Sequence, residues 1–412
     1  MLSRMCRRNS TKIPRFLACT AALALLPLRG AIAAPPLQDA LSARIPALFR
    51  FAGAQLTRAA QTLRPTQYPI TTDSSGKWKT MNASGWTSGF FPGSLWLLYE
   101  QSKNPVWKAR AQTWQRHLER EKTSRGTHDL GFMLFTSFGN GHRLTGDDRY
   151  RRVLLTAAGS LATRYNPVVG AIKSWESKPA EFPVIIDSLM NLELLFWAST
   201  HGGQSAWRDL AIQHARRVRR DHVRPDGSTY HVVTYHPATG AVIKKSTAQG
   251  KSDESTWSRG QAWGLYGFTV VYRETGDRSF LQTARKLADY FLANLPSDAV
   301  PSWDFRATSA REPKDSSAAA IAASGLLELA RLELDASRRT RYFSAAERIL
   351  SLLSSPAYLA KGTPSRALLL HGTYNKNAGD FDTGTIWGDY YFLEALLRYQ
   401  KYAPVLGQRR SE

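Results

Sequence analysis

Residues 187–198 read DSLMNLELLFWA, and these side chains are apolar on nearly every side of a helix. A helix that is apolar all round is buried in the protein interior and does not lie on the surface. Similar segments recur along the chain. They begin near Trp86, Asp129, Asp187, Trp257, Asp315 and Thr385.

Helices with a single apolar face alternate with these buried segments. In residues 277–295, for example, Phe280, Ala284, Leu287 and Phe291 share one face, which is typical of a surface helix that packs on a core. Similar turns, with Gly146-Asp147 and Gly276-Asp277, precede two of these helices. The one-sided helices are predicted at about 37–63, 105–121, 147–165, 204–221, 277–295 and 340–354.

This alternation of six buried and six outer helices predicts an all-α fold, an (α/α)6 toroid made of two concentric rings. A short β-hairpin is predicted in one loop, where Tyr230–Tyr235 pairs with Ala241–Ile243. In such a ring the inner helices run the same way, so their amino-terminal ends meet at one mouth. We therefore expect the functional residues at that mouth.

The amino-terminal segment has the layout of a secretory signal peptide. Basic residues from Arg4 to Arg15 precede the short apolar run 16–26, and the small-residue pattern Ala31-Ile32-Ala33 follows. We predict cleavage after Ala33, a single catalytic domain over 34–412, and export to the periplasm without a stable membrane anchor. The only cysteines, Cys6 and Cys19, fall in the removed segment.

The chain is strongly basic, with a formal net charge of +22 over 412 residues. Residues 1–33 carry six of the basic side chains and no acid, so cleavage leaves a charge of +16. Such a charge suits nucleic acid, an anionic surface or an acidic small substrate. The sequence has no helix-turn-helix, zinc-finger or RNA-binding signature, so we predict an acidic ligand and no nucleic acid partner. The oligomeric state is left open.

Aspartates begin three of the buried segments: Asp129, Asp187 and Asp315. Aspartate commonly caps helices, so the structural interpretation is that each of these aspartates caps the helix that it begins. Asp129, however, follows His128, and Asp187 follows the apolar stretch 182–186. A desolvated carboxyl near a second carboxylate tends to keep its proton, as a general acid must.

Tryptophans are also frequent near the predicted mouth. Aromatic side chains more often belong to a core than to a ligand site, but several around two carboxylates favour a carbohydrate, whose apolar faces stack on such rings. These tryptophans are Trp86, Trp175, Trp257, Trp263, Trp303 and Trp387.

Several other chemistries lack their motifs. The sequence contains no phosphate loop, no Gly-x-Ser-x-Gly and no His-Glu-x-x-His. Residues 380–384 superficially resemble a calcium loop but lack its required Gly and Glu, since Thr385 and Tyr391 occupy those positions. We predict neither a metal nor an organic cofactor.

Seven ordered motifs resemble those of the unsaturated glucuronyl hydrolases, glycoside hydrolase family 88, over essentially the whole mature chain. The motifs lie at 86–90, 128–132, 183–187, 228–231, 249–264, 315–320 and 385–390, and read WTSGF, HDLGF, PVIID, STYH, QG followed by WSRGQAWG, DSSAAA and TIWGDY.

This resemblance implies an enzyme that acts on the 4,5-unsaturated uronic acid that polysaccharide lyases leave at the non-reducing end of glycosaminoglycan-type oligosaccharides. It implies that Asp187 is the general acid and base and that Asp129 is the second essential carboxylate. Arg259 or a neighbouring donor is expected to hold the substrate carboxylate. The implied substrate-binding residues are Trp86, His128, Trp175, His231, Gln249, Arg259 and Trp263.

Two alternatives stay open at this stage. The unsaturated rhamnogalacturonyl hydrolases of family 105 share the toroid and a similar double-bond chemistry. A non-catalytic carbohydrate-binding toroid is the other alternative. Such a protein is expected to have lost an essential carboxylate, whereas this sequence has both Asp129 and Asp187.

Overall fold

The computed structural model describes residues 37–406. Its α-helices are α1 (Leu37–Thr62), α2 (Phe90–Ser102), α3 (Pro105–Leu118), α4 (Asn140–Thr145), α5 (Asp148–Ala162), α6 (Leu192–Thr200), α7 (Ala206–His222), α8 (Ser258–Thr275), α9 (Arg278–Ala293), α10 (Ser316–Leu332), α11 (Ala336–Leu353) and α12 (Ile386–Leu406). A π-helix, Gly131–Gly139, runs into α4, and a 3-10 helix, Ile186–Asn191, runs into α6. Two further 3-10 helices span Glu119–Thr123 and Lys376–Ala378.

The inner ring closes on itself. Helix α2 packs on the π-helix, which packs on α6, and the contacts continue through α8 and α10 to α12, which returns to α2. The side chains of α10 from Ser316 to Ala330 are buried, as expected for a helix surrounded by protein. The outer helices α1, α3, α5, α7, α9 and α11 pack on this ring. The predicted (α/α)6 toroid is therefore confirmed.

The first turn of two inner helices differs from the simple prediction. Helix α2 begins at Phe90, not near Trp86, because residues 86–89 form a turn in which the Thr87 hydroxyl donates to the carbonyl of Pro69. The segment after Asp129 is a π-helix, and Gly131 allows its close approach to the neighbouring inner helix. A Cβ at Gly131 would lie 2.6 Å from the Cα of Asn191.

The strands form three small antiparallel sheets. They are β1 (Tyr68–Thr72) with β2 (Trp78–Met81), β3 (Tyr165–Asn166) with β4 (Ala171–Ile172), and β5 (Phe182–Ile185), β6 (Val232–Tyr235) and β7 (Val242–Ser246) in the order β5-β6-β7. The predicted hairpin is present as β6 and β7. Strand β5 joins it by pairing with β6, and this strand leads directly to Asp187.

The predicted signal peptide and both cysteines lie outside the described residues. Within residues 37–406, no helix combines the length and the apolar character needed to cross a bilayer.

Candidate active site

The candidate site lies where the inner helices begin. Asp129 precedes the π-helix, Asp187 lies in the first turn of the 3-10 helix before α6, Arg259 lies in the first turn of α8, and Asp315 caps α10. Direct contacts join these first turns, as described below. The sequence-based expectation that the functional residues gather at one mouth agrees with this placement.

Two contacts hold the segment around Asp129 against the segment around Asp187. The Nδ1 atom of His128 lies 2.9 Å from the hydroxyl oxygen of Ser188, and the backbone N–H of Phe132 donates to the side-chain oxygen of Asn191 at 2.9 Å. The absence of a Cβ at Gly131 permits this approach. Two acids that are far apart in sequence are thereby fixed in one site.

A directed chain of hydrogen bonds ends on Asp129. The backbone N–H of Ile185, which can only donate, binds the Ser174 hydroxyl at 3.0 Å, and that hydroxyl lies 3.2 Å from the Ser188 hydroxyl. The Asp129 oxygen beside Nε2 of His128 acts as an acceptor, so Nε2 carries the ring proton and Nδ1 accepts from the Ser188 hydroxyl. Ser188 has then used its only proton, so Ser174 donates to Ser188. The proton on Nε2 of His128 then faces the Asp129 oxygen 3.3 Å away.

The second oxygen of Asp129 also has a donor. The Thr127 hydroxyl donates to it at 2.8 Å and itself accepts from the backbone N–H of Asp129 at 3.1 Å. Burial lowers the pKa of His128, so its ring is neutral and supplies one proton rather than two. Both oxygens of Asp129 therefore act as acceptors, in the orientation that the chain from Ile185 imposes.

Asp187 has a different environment. Its side chain is only 13% exposed, and its Oδ1 atom has no hydrogen-bond partner within residues 37–406. Burial raises the pKa of the Asp187 carboxyl to about 7, while the nearby charge of Arg259 lowers this pKa and that of Asp129 raises it. A carboxyl of this kind holds a proton near neutral pH and can also release it, which is the requirement for a general acid and base.

His231 contacts the same carboxyl from the other side. Its Nδ1 accepts from the backbone N–H of Ala248 at 3.3 Å, so the proton of the neutral ring lies on Nε2, which is 3.9 Å from Oδ1 of Asp187. Burial, followed by the charges of Arg259 and His222, lowers the pKa of His231 to about 3. His231 is therefore a fixed neutral donor beside Asp187, stacked on Trp257 with ring centroids 4.3 Å apart.

Arg259 is a buried cation behind the site. Its guanidinium lies 4.4 Å from the ring centroid of Trp257 and 5.2 Å from that of Trp387, and its side chain is 1% exposed. One terminal nitrogen pairs with Asp315 at 2.9 Å and also donates to the carbonyl of Thr373, while the other donates to the carbonyl of Tyr374 at 2.8 Å. Both terminal nitrogens are thereby anchored, whereas Nε has no hydrogen-bond partner within residues 37–406. The charge of Arg259 also lowers the pKa of Asp187.

An aromatic wall faces these polar groups. Trp86 is partly exposed, and its ring centroid lies 5.0 Å from that of Trp387 and 6.4 Å from that of Tyr374. Gln249 is held at the same place, because its amide nitrogen donates to the carbonyl of Tyr374 at 2.9 Å. A partly exposed ring beside a fixed amide can contact both the face and the hydroxyls of a sugar.

The two remaining predicted binding residues occupy different positions. Trp263 is fully buried, with its ring 5.0 Å from Phe132 and 5.3 Å from Tyr391, so it forms the floor beneath the site and has no exposed surface. Trp175 is 38% exposed and follows Ser174 in the chain. Within residues 37–406, no hydrogen bond or ring contact joins the Trp175 side chain to the other site residues.

Sequence analysis missed several residues of this site. Ser174 and Ser188 join the chain to His128, and neither has a pattern that signals this role. Tyr374 was missed because it lies in the long loop 355–384 and reaches the site only through tertiary folding. Asp315 was noted as a helix cap, and its second function, the ion pair with Arg259, depends on the packing of α8 against α10.

No group of three or more histidine, cysteine, aspartate or glutamate side chains is placed to hold a metal ion in the part of the chain from 37 to 406.

Comparison with known proteins identifies the family. Residues 57–326 match the sequence profile of Glycosyl Hydrolase Family 88. The chain belongs to this family. The unsaturated glucuronyl hydrolase of Formosa agariphila is 41% identical over 324 residues, which cover 76% of this chain and 80% of that protein.

Solved structures agree with the family 88 assignment. The crystal structure of an unsaturated glucuronyl hydrolase specific for heparin superposes with a TM-score of 0.85 at 41% identity, and covers 89% of this chain and 99% of its own. A variant of the Streptococcus agalactiae enzyme in complex with dGlcA-GalNAc6S gives a TM-score of 0.76 at 32% identity, with 87% and 92% coverage. The predicted family and enzyme class are confirmed: this family 88 chain is a glycoside hydrolase of the unsaturated glucuronyl hydrolase type.

Proposed function

We propose that this protein removes the 4,5-unsaturated uronic acid from the non-reducing end of glycosaminoglycan-type oligosaccharides made by polysaccharide lyases. The observation that carries the proposal is the buried Asp187 carboxyl, with a pKa raised to about 7 and an oxygen without a partner among residues 37–406, beside the hydrogen-bonded Asp129. A sugar of this kind is bound by one family 88 relative, since the Streptococcus agalactiae variant was solved with dGlcA-GalNAc6S.

The substrate is an enol ether, and the reaction is a hydration of its C4=C5 double bond. Asp187 gives its proton to C4, and the electron pair of the double bond forms the new C–H bond. The positive charge that results at C5 is shared with the ring oxygen. Water adds at C5 and returns a proton to Asp187, so the carboxyl ends the cycle as it began. The hemiketal at C5 then opens to a ketone and leaves a hydroxyl on C1. The hemiacetal at C1 collapses to an aldehyde and releases the next sugar.

Asp129 and His231 have separate tasks in this scheme. Asp129, held by His128 and Thr127, accepts hydrogen bonds and raises the pKa of Asp187, which keeps the acid protonated before the reaction. His231 stays neutral and presents Nε2–H beside the same carboxyl. Trp86 and Gln249 are proposed to bind the sugar, with Trp263 supporting the floor. No step requires a metal or an organic cofactor.

The experiment that tests this function is a panel of lyase-generated disaccharides, sulfated and unsulfated, from glycosaminoglycans and from rhamnogalacturonan. Turnover is followed as loss of the ultraviolet absorbance of the conjugated enoate. The expected result is hydrolysis of the glycosaminoglycan disaccharides, and turnover in heavy water should place deuterium on C4. Preferential hydrolysis of the rhamnogalacturonan product, or no deuterium on C4, would contradict the proposal.

We also propose that the protein is exported, on the basis of the segment before Ala34. Expression in a bacterial host with separation of the periplasm should yield a mature chain that starts at Ala34. A chain retained in the cytoplasm with its first residues intact would rule this out.

A further inference from the structure

A basic cavity lies between α7, α9 and strand β7, and neither Asp129 nor Asp187 lines it. Its volume is about 730 Å³, and five cations, Arg219, Arg220, Arg224, Lys245 and Lys286, surround Tyr230 in its lining. None of the described residues that line it is acidic. The cations come from the end of α7, the segment after it, strand β7 and helix α9.

Part of this basic cavity is rigid. The Arg224 guanidinium lies 3.6 Å from the ring centroid of Tyr230, and the Lys245 ammonium lies 4.4 Å from it. Arg224 also donates to the Thr229 carbonyl at 3.0 Å, and the Tyr230 hydroxyl donates to Glu254 at 3.0 Å. Two of the positive charges are therefore fixed in place before any ligand binds, which lowers the entropic cost of binding.

The positive charge of the cavity is only partly neutralised by neighbouring acids. Glu254 is 3.9 Å from Arg224, and Asp221 is 3.0 Å from Arg220. Within residues 37–406, Lys245 and Lys286 have no ion-pair partner. An anionic ligand would supply the missing negative charge.

The basic surface continues beyond this cavity. A second cavity of about 480 Å³ shares Arg219 and Arg220 with the first and adds Arg216 and Arg217 of the same helix, and its lining within residues 37–406 also lacks an acidic side chain. Two adjoining basic cavities match an extended polyanion better than a single small anion. Arg216, Arg219 and Arg220 therefore extend the basic surface along the carboxyl-terminal half of α7, whereas Arg217 is held by Asp221 and the ring of Tyr235.

We propose that this surface is a second binding site, which holds an intact anionic polysaccharide while the active site acts on short products. The choice of a polysaccharide among polyanions rests on the proposed function. Single-stranded nucleic acid fits the surface less well, because its bases bind by stacking on free aromatic faces, and duplex DNA is included as a competitor in the test. Among the described residues, Tyr230 is the one aromatic side chain in the lining of the two cavities, and Arg224 and Lys245 cover its ring.

The test compares two triple variants that lose the same charge. One carries Arg220→Gln, Lys245→Gln and Lys286→Gln in the cavity. The control carries Arg116→Gln, Lys361→Gln and Lys401→Gln, three exposed residues that line neither cavity. Binding of intact heparin and of a short DNA duplex is measured by titration at fixed salt, with turnover of an unsaturated disaccharide as a check of folding.

The expected result is that the cavity variant binds heparin about tenfold more weakly, whereas the control changes by less than about threefold. Disaccharide turnover should stay within about twofold, since none of the three cavity residues contacts the active-site acids. Equal weakening in both variants would overturn the proposal, because only overall charge would then matter. Tighter binding of DNA than of heparin, lost in the cavity variant, would also overturn it.

Failure of this proposal is distinguishable from failure of the proposed function. The Asp187→Asn variant should bind heparin as tightly as the parent protein, because that acid lies outside the cavity. Absence of disaccharide hydrolysis by the parent would contradict the proposed function, whatever the heparin titration shows.

Discussion

His128 and Ser188 join the two halves of the candidate active site through a contact of 2.9 Å between Nδ1 and Oγ. His128 precedes Asp129, and Ser188 follows Asp187, so this contact fixes the two acids relative to each other. Ser188 also donates to Nδ1, the ring nitrogen of His128 that carries no proton. The orientation of Asp129 therefore depends on a serine whose hydroxyl binds neither carboxylate.

Replacing this serine should slow catalysis without unfolding the protein. In Ser188→Ala, Nδ1 of His128 loses its donor, and leaving a buried polar atom without a partner costs roughly 1–3 kcal/mol. We expect kcat to fall about tenfold with KM changed by less than about twofold. Steady-state kinetics on an unsaturated disaccharide measures both. Ser205→Ala, at an exposed serine whose side chain caps no helix, is the matched control and should behave as the parent. An unchanged kcat in Ser188→Ala would show that the hydrogen-bond chain does not position Asp129.

Asp187→Asn should remove turnover while leaving the fold intact. Asparagine has a similar shape but cannot donate a proton to carbon, and the loss of a general acid lowers kcat by roughly 10² to 10⁴. Single-turnover kinetics and disaccharide titration separate chemistry from binding, and the dissociation constant should change little. Asp209→Asn, on the exposed face of α7, is the control. Near-normal turnover by the Asp187→Asn variant would reject the assignment of the acid.

The same substitution should change how stability depends on pH. The folded pKa of Asp187 is raised to about 7 from an ordinary value near 3.8, so between these values the folded state binds more protons than the unfolded state. The free energy of unfolding therefore falls as pH rises through this window, by as much as about 4 kcal/mol from this group alone.

The Asp187→Asn variant has no titrating group at this position. Its free energy of unfolding, minus that of the parent, should therefore increase from pH 4 to pH 8. Urea unfolding at several pH values measures the difference. A difference that does not vary with pH would mean that Asp187 titrates normally in the folded protein.

Asp315 should influence, through Arg259, the pH at which kcat falls on the alkaline side of the pH profile. Its carboxylate partly neutralises the buried guanidinium, whose charge lowers the pKa of Asp187. In Asp315→Asn this positive charge is less compensated, so we expect the alkaline limb of kcat to move to lower pH. A pH profile measures the shift.

Breaking this buried pair should also cost about 3–5 kcal/mol of stability, so the profile is measured on protein shown to be folded by its thermal transition. Asp335→Asn, at the residue that caps α11, removes one carboxylate that does not contact Arg259 and keeps a capping side chain, so it should leave the alkaline limb unchanged. A profile in Asp315→Asn that coincides with the parent's would show that Asp315 has a structural role only.

Substitutions of two tryptophans, Trp86 and Trp263, should have opposite effects: one mainly on KM and the other mainly on stability. Trp86 is partly exposed in the aromatic wall, so Trp86→Leu should raise KM about fivefold through lost contact with the sugar, with little change in stability. Trp263 is fully buried, so Trp263→Leu should lower stability by roughly 3 kcal/mol with a smaller change in KM. Kinetics and urea unfolding of both variants provide the comparison. A larger KM effect from Trp263→Leu would place that ring in the binding surface.

The sequence was sufficient to predict the ring of helices because periodicity is a local property. The outer-helix prediction 105–121 became α3 (Pro105–Leu118), and the predicted start near Asp315 became α10 with Asp315 as its cap. The first turns were harder to predict. The π-helix after Asp129 depends on the contact between Gly131 and Asn191, which single-sequence periodicity does not contain.

The site was predictable only as far as residue type and order allow. The motifs pointed to Asp129, Asp187, His231 and Arg259, and the structure brings these four side chains together. Their roles in catalysis stay predictions. The burial of Trp263 and the engagement of both terminal nitrogens of Arg259 arise from tertiary packing. Tyr374 could not have been predicted, since its loop has no periodic pattern.

The anchoring of Arg259 by the Thr373 and Tyr374 carbonyls has a consequence for biosynthesis. The ribosome makes Asp129, Asp187 and Arg259 well before it makes the loop that holds the guanidinium. A nascent chain that has folded its first inner helices still lacks the carbonyl groups that fix this cation next to the acid. Catalytic competence should therefore arrive only after the carboxyl-terminal loop has been made and folded.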